Sequence, residues 1–163
     1  MSGHKMPETA VLASLLSEVT STMLGIPFQA AQGDERIELL CWRSAILPIG
    51  AEEILQVALA SDQRGCAILG ARMFQVELAE VDASMIDDTL RELVNMTAGM
   101  IKRAIGADMA LGLPRIVSES RPDGPLAASW HRVLLRAHDG AVELVLFVSD
   151  PTRLGTTGKE KAA

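Results

Sequence analysis

The 163-residue chain has no tyrosine, and aromatic residues make up only 3% of it. A core must therefore be built from Leu, Ile, Val, Ala and Met, and a surface of base-stacking rings for single-stranded nucleic acid is disfavoured. There is no basic stripe and no run of five or more like charges; 21 acidic against 15 basic residues give a formal charge of −6. A net negative chain is a poor ligand for a phosphate backbone, so no nucleic-acid partner is expected. No apolar run approaches the length of a membrane span, so no membrane partner is expected either. The start, Met1 to Pro7, lacks the charged start, apolar stretch and small-residue cleavage site that together make a secretion signal, which makes the cytoplasm the expected location. Cys41 and Cys66 stand alone in apolar runs. They form neither a zinc motif nor a redox pair and read as core thiols. His131 and His138 lack metal-ligand spacing, so no metal or other cofactor bound by this chain is expected. The glycines at 65 and 70 frame no phosphate loop, and the serines lack a nucleophile elbow.

What is present is a chain that is 48% apolar, enough for a sizeable core. The expected organisation is a short tail over 1–8, one domain over 9–150 and a flexible tail over 151–163. Leu12, Leu15, Leu16, Val19 and Met23 recur at helical spacing, and Gly25 and Pro27 follow as stop signals, predicting a helix from Thr9 to Leu24. Ile37 to Trp42, Glu53 to Ala60 and Cys66 to Leu69 read as strands, the last two joined in a hairpin by the turn chemistry of Ser61 to Gly65. A short helix is expected over Arg72 to Glu80. A long helix is expected from a cap at Ser84, with Asp87 three residues on, to a stop at Gly106. Ala110 to Val117 contains Pro114 and reads as an edge or irregular strand. Arg121 to Ala128 reads as a loop. His131 to Ala137 and Ala141 to Val148 flank Asp139-Gly140, a strong hairpin signal. The expected fold class is α+β: antiparallel sheet packed with two or three helices.

The long helix carries the most informative pattern. At about 100° per residue, Ile86, Leu90, Leu93, Thr97, Ile101 and Ala104 fall on one, buried side. Asp88, Glu92, Asn95, Gly99 and Lys102 fall within about 80° of one another on the opposite side. Asn95 is the only asparagine in the chain, three residues after Glu92. An amide beside a carboxylate suits holding a water and a cation in place better than it suits proton shuttling. Gly99 costs a helix interior roughly 1 kcal/mol relative to alanine, which is explicable if another backbone or a bulky group approaches there. A solvated polar helix face gives the same spacing.

Asp88-x-x-x-Glu92-x-x-Asn95-x-x-x-Gly99-x-x-Lys102, followed by Leu111-Gly112-Leu113-Pro114, resembles the signature of the CheC/CheX/FliY family of chemotaxis phosphatases. In that family an acidic or serine residue precedes the Glu by four, the Asn follows it by three, and a proline stands further on, here Pro114. The order of elements is similar to CheX-like members over residues 9 to 150, closely in the helix and loosely elsewhere. A single Glu-x-x-Asn unit, where CheC-like members carry two, implies a homodimer with one active helix per subunit. The resemblance implies a response-regulator phosphatase. Its substrate would be a phosphorylated CheY-type receiver that brings its own Mg²⁺. Asn95 would position the attacking water and Glu92 would anchor the receiver's lysine. Asp88, Gly99 and Lys102 would meet the partner, although Asp88 also suits the helix N-terminus and Lys102 its C-terminus. The alternative is a non-catalytic adaptor that holds a receiver or a flagellar switch component through the same helix.

Overall fold

A computed structural model describes residues 6–50, 55–118 and 130–149. Among these, three α-helices lie against one six-stranded sheet: α1 (Thr9–Leu24), α2 (Gln63–Phe74) and α3 (Ala83–Ala104), with β1 (Phe28–Ala30), β2 (Arg43–Ile49), β3 (Leu55–Ser61), β4 (Arg115–Ser118), β5 (Trp130–Ala137) and β6 (Glu143–Ser149). The sheet runs in the order β1-β5-β6-β3-β2-β4, and every pairing is antiparallel. The α+β expectation holds. The segments expected to form the Arg121 to Ala128 loop and the tail after Pro151 lie outside the described residues.

Both faces of the central strands are covered. On one face, Leu47, Leu59, Leu135 and Leu146 meet Leu16 of α1 and Leu90, Leu93 and Ile101 of α3. On the other, Ile46, Ala58, Val145 and Phe147 pack with Ile37, Leu40 and Cys41. A strand buried on both sides needs apolar residues at consecutive positions, which is why Leu144 to Val148 reads as one unbroken apolar run. The β5–β6 hairpin forms where Asp-Gly predicts it, with Arg136 opposite Glu143 at its mouth.

Three local expectations fail, each for a physical reason. Ile37 to Trp42 is not a strand: two 3₁₀ turns, Asp34–Arg36 and Glu38–Leu40, occupy this region. Ile37, Leu40 and Cys41 are buried while Leu39 is exposed, an inward spacing of three and four, not two. Cys66 to Leu69 is not a strand but part of α2, and no hairpin joins it to β3. The turn chemistry before it is a helix cap: the Asp62 carboxylate accepts the Gly65 N–H at 2.7 Å. The expected helix from Arg72 is the end of α2 instead. The chain leaves α2 at Gln75 in left-handed geometry and makes a 3₁₀ turn at Leu78–Glu80. Arg72 Nη1 donates to the Leu24 carbonyl at 3.2 Å, placing a cation at the negative end of α1.

Candidate functional site

Helix α3 is amphipathic, and its apolar side fixes its placement. Ile86, Leu90, Leu93, Val94, Ala98 and Ile101 are buried against the sheet and the other helices. Thr89 and Thr97 are buried too, and their hydroxyls donate to the carbonyls of Met85 and Leu93, each at 2.7 Å, so neither burial leaves an unpaired polar group. The cap is Asp82, whose carboxylate accepts the Met85 N–H at 2.9 Å; Ser84, the expected cap, is a residue inside the helix. Arg43 at the start of β2 pairs with Asp87 at 2.8 Å, tying the second turn of α3 to the sheet, and its guanidinium also stacks over Trp42. At the other end the chain turns back at Gly106, in left-handed geometry. Ala104, expected on the buried side, is exposed in this last turn.

The returning chain seals against β2. The Gly50 N–H donates to the Ala110 carbonyl at 2.9 Å, the Gly112 N–H donates to the Pro48 carbonyl at 2.7 Å, and Leu111 bridges to Ile49. Gly112 is required: a Cβ there would stand 2.7 Å from Pro48 Cγ and 3.1 Å from its carbonyl oxygen. β4 then pairs with β2 at the sheet edge, an edge strand as expected but only over Arg115–Ser118: it begins after Pro114, which has no N–H to give a ladder, and Leu111 makes only an isolated bridge.

The five residues singled out from the sequence all project from the outward face of α3. Asp88 and Glu92 are exposed; Asn95, Gly99 and Lys102 are half-buried. The exposed Asp88 carboxylate pairs with Arg91 one turn on, at 3.2 Å. Among the described residues, neither Glu92 nor Asn95 has a hydrogen-bond or ion-pair partner. A carboxylate and an amide are therefore held side by side by the helical repeat, with their polar atoms free for a ligand outside the chain. Gly99 is not explained within the chain: a Cβ there would meet only Leu111 Cδ1, at 3.9 Å, an ordinary contact.

Three residues near this surface, Met96, Arg103 and Leu111, had been given no place on it. Met96 is 42% exposed, one turn beyond Glu92, and Arg103 is exposed in the last turn. Met96 had a readable signal, an apolar residue about 40° from Glu92 on the helical wheel. Leu111 reaches Gly99 only through the chain reversal, which no local pattern announces. Elsewhere, the His131 ring lies 3.3 Å from the Thr9 hydroxyl, well away in sequence from the helix. No group of three or more His, Cys, Asp or Glu residues suited to a metal occurs among the described residues. Burial pushes the Cys66 thiol up to about 12 and the Cys41 thiol up to about 11, so both are inert core groups. No helix among the described residues is long and apolar enough to cross a membrane.

A family model described as chemotaxis phosphatase CheX matches residues 45–128, a stretch that contains α2 and the whole of α3. The chain belongs to the CheX family. Solved CheX structures share its fold. CheX from Vibrio vulnificus is 15% identical with a TM-score of 0.67, the match covering 90% of this chain and 99% of that one. CheX from Desulfovibrio desulfuricans is 16% identical with a TM-score of 0.63, covering 87% and 98%. A complex of CheX with CheY, BeF3 and Mg from Borrelia burgdorferi matches at 12% identity and a TM-score of 0.63, covering 89% and 98%. No curated protein matches significantly. The matched stretch contains the outward face of α3, where the side chains of Glu92 and Asn95 stand unpaired among the described residues.

Proposed function

We propose that this chain hydrolyses the aspartyl phosphate of a CheY-type receiver docked on α3. The observation that carries this reading is that Glu92 and Asn95 stand unpaired on one outward helix face in a CheX-family chain. A crystallised CheX relative in complex with CheY supports the class of partner.

The receiver already holds the phosphoryl group, its Mg²⁺ and a lysine. What it lacks is a water fixed in line with the bond to be broken. The Asn95 amide accepts and donates hydrogen bonds at once, so it orients that water. The water's oxygen joins phosphorus, the bond from phosphorus to the aspartyl oxygen breaks leaving the carboxylate, and phosphate leaves with one of the water's protons while the other passes to bulk water. Glu92 pairs with the receiver's lysine and sets the docked helix in register. This is catalysis by positioning, with no covalent intermediate on this chain. A hundredfold acceleration corresponds to about 2.7 kcal/mol off the barrier, within reach of one well-aimed amide. The family resemblance also makes a homodimer with one active helix per subunit the expected assembly.

The test is phosphate loss from a phosphorylated receiver, followed with wild type and with Asn95→Ala. The expected result is acceleration that falls back about a hundredfold, to the receiver's own decay, in the variant, while a beryllofluoride-loaded receiver still binds it. Unaccelerated decay with intact binding by the wild type would favour the adaptor reading.

A further inference from the structure

We infer that Arg91 is a further catalytic side chain of this face: when a receiver docks, its guanidinium leaves Asp88 and donates to an oxygen of the phosphoryl group, on the opposite side of the Asn95 amide from Glu92. The inference rests on the phosphatase reading for the identity of the substrate. Arg91 lies in α3 one turn before Asn95 and about 40° from it on the helical wheel, while Glu92 lies about 60° from Asn95 on the other side. Side chains on a helix lean over the turn that precedes them, so the Asn95 amide hangs over the turn that carries Arg91 and Glu92. A cation and an anion therefore flank the amide. The docked receiver presents the complementary pair: a lysine for Glu92 and an anionic phosphoryl group for Arg91.

A surface ion pair is the ordinary role of such an arginine, and Arg91 has one. Its polar partner among the described residues is Asp88, at 3.2 Å, the two side chains being 43% and 59% exposed. An exposed pair three residues apart is weak and screened by salt, so it yields readily to a stronger acceptor. One guanidinium nitrogen is engaged, which leaves most of the N–H donors uncommitted. A phosphoryl group offers those donors more charge than a single carboxylate, and a geometry that accepts two parallel bonds. As the bond to the aspartyl oxygen breaks, negative charge spreads over the equatorial phosphoryl oxygens, and a guanidinium beside them stabilises it. Arg91 thus acts on the phosphorus whose attacking water Asn95 holds. The same contact makes docking favour a phosphorylated receiver over an unphosphorylated one.

Arg91→Ala and Arg91→Lys are compared with wild type in phosphate release, and in binding of a CheY-type receiver with and without beryllofluoride, a readout that needs no turnover. The expected result for Arg91→Ala is a kcat lowered roughly tenfold, a preference for the beryllofluoride-loaded receiver lowered by a similar factor, and an unchanged melting temperature. Arg91→Lys keeps the charge without the two-bond fork and recovers part of the loss. The loss persists when Arg91→Ala is made in an Asp88→Asn background, because the ion pair is not what acts. If it disappears in that background, Arg91 works only by holding Asp88, and the inference is overturned. Unchanged kcat and preference in Arg91→Ala overturn it as well and leave the phosphatase reading standing. So does binding that weakens equally for the loaded and unloaded receiver, which puts Arg91 against the receiver's rim and away from its phosphoryl group. A wild type that prefers the loaded receiver without accelerating phosphate loss, and forfeits that preference in Arg91→Ala, keeps the phosphoryl contact and overturns the phosphatase reading. Absence of both turnover and binding overturns both.

Discussion

Asn95 and Glu92 were legible in the sequence because a helix converts spacing into placement. Once 83–104 coils, residues three and four apart share a face without help from the rest of the fold. The same reasoning reached Asp88, Gly99 and Lys102. It could not reach Leu111, whose approach to Gly99 depends on a chain reversal and a glycine packed on Pro48. Gly99 yields a prediction at this scale. The chain itself has room for a methyl group there, the nearest atom being 3.9 Å away. Gly99→Ala should therefore stabilise α3 by about 0.5–1 kcal/mol, raising the melting temperature by a few degrees. If the glycine exists for a docked receiver, the same variant should bind a beryllofluoride-loaded receiver more weakly. Titration calorimetry beside thermal melting checks both; greater stability with undiminished binding would assign the glycine no part in docking.

At the scale of elements, α1, α3 and the β5–β6 hairpin were readable because each carries a complete local signal: periodicity, a stop or a turn dipeptide. α2 was not. Gly65 and Gly70 lower its helix propensity, its run of small apolar residues mimics a strand, and the Asp62 cap looks like turn chemistry. The Ile37 to Trp42 region failed in a similar way, because its apolar residues face inward only when the chain turns in 3₁₀ steps. The start of α3 was placed within two residues, but the cap was assigned to the wrong side chain. This gives a paired prediction. Asp82→Ala should cost about 1 kcal/mol of unfolding free energy through the lost bond to the Met85 N–H. Ser84→Ala should cost nothing measurable or stabilise slightly. Denaturant titration of the two variants distinguishes them by their midpoints.

At the scale of the molecule, strand order was beyond local reading, since β1 pairs with β5 and β4 with β2 across long stretches of chain. Burying both sheet faces also fixes how stability responds to alkali. Cys66 sits in the core, and burial raises its thiol to about 12, whereas in the unfolded chain it ionises near 9.0. Above pH 9 the unfolded state loses this proton while the folded state keeps it, so unfolding becomes easier as pH rises. The slope should approach about 1.4 kcal/mol per pH unit for this thiol between pH 9 and 11. Stability below pH 9 should not depend on it. Urea titrations of wild type and Cys66→Ala across pH 8 to 11 check this; the variant should show the shallower alkaline decline.

The ion pair between Arg43 and Asp87 joins the first residue of β2 to the second turn of α3. With the Asp82 cap beside it and the pinned return segment at the far end, the helix resembles a beam built into a wall at both supports. Any protein landing on its outer side meets a stiff surface, and little binding energy is spent on rearrangement. Encounter should then be governed by diffusion and long-range charge, without a wait for the helix to change shape.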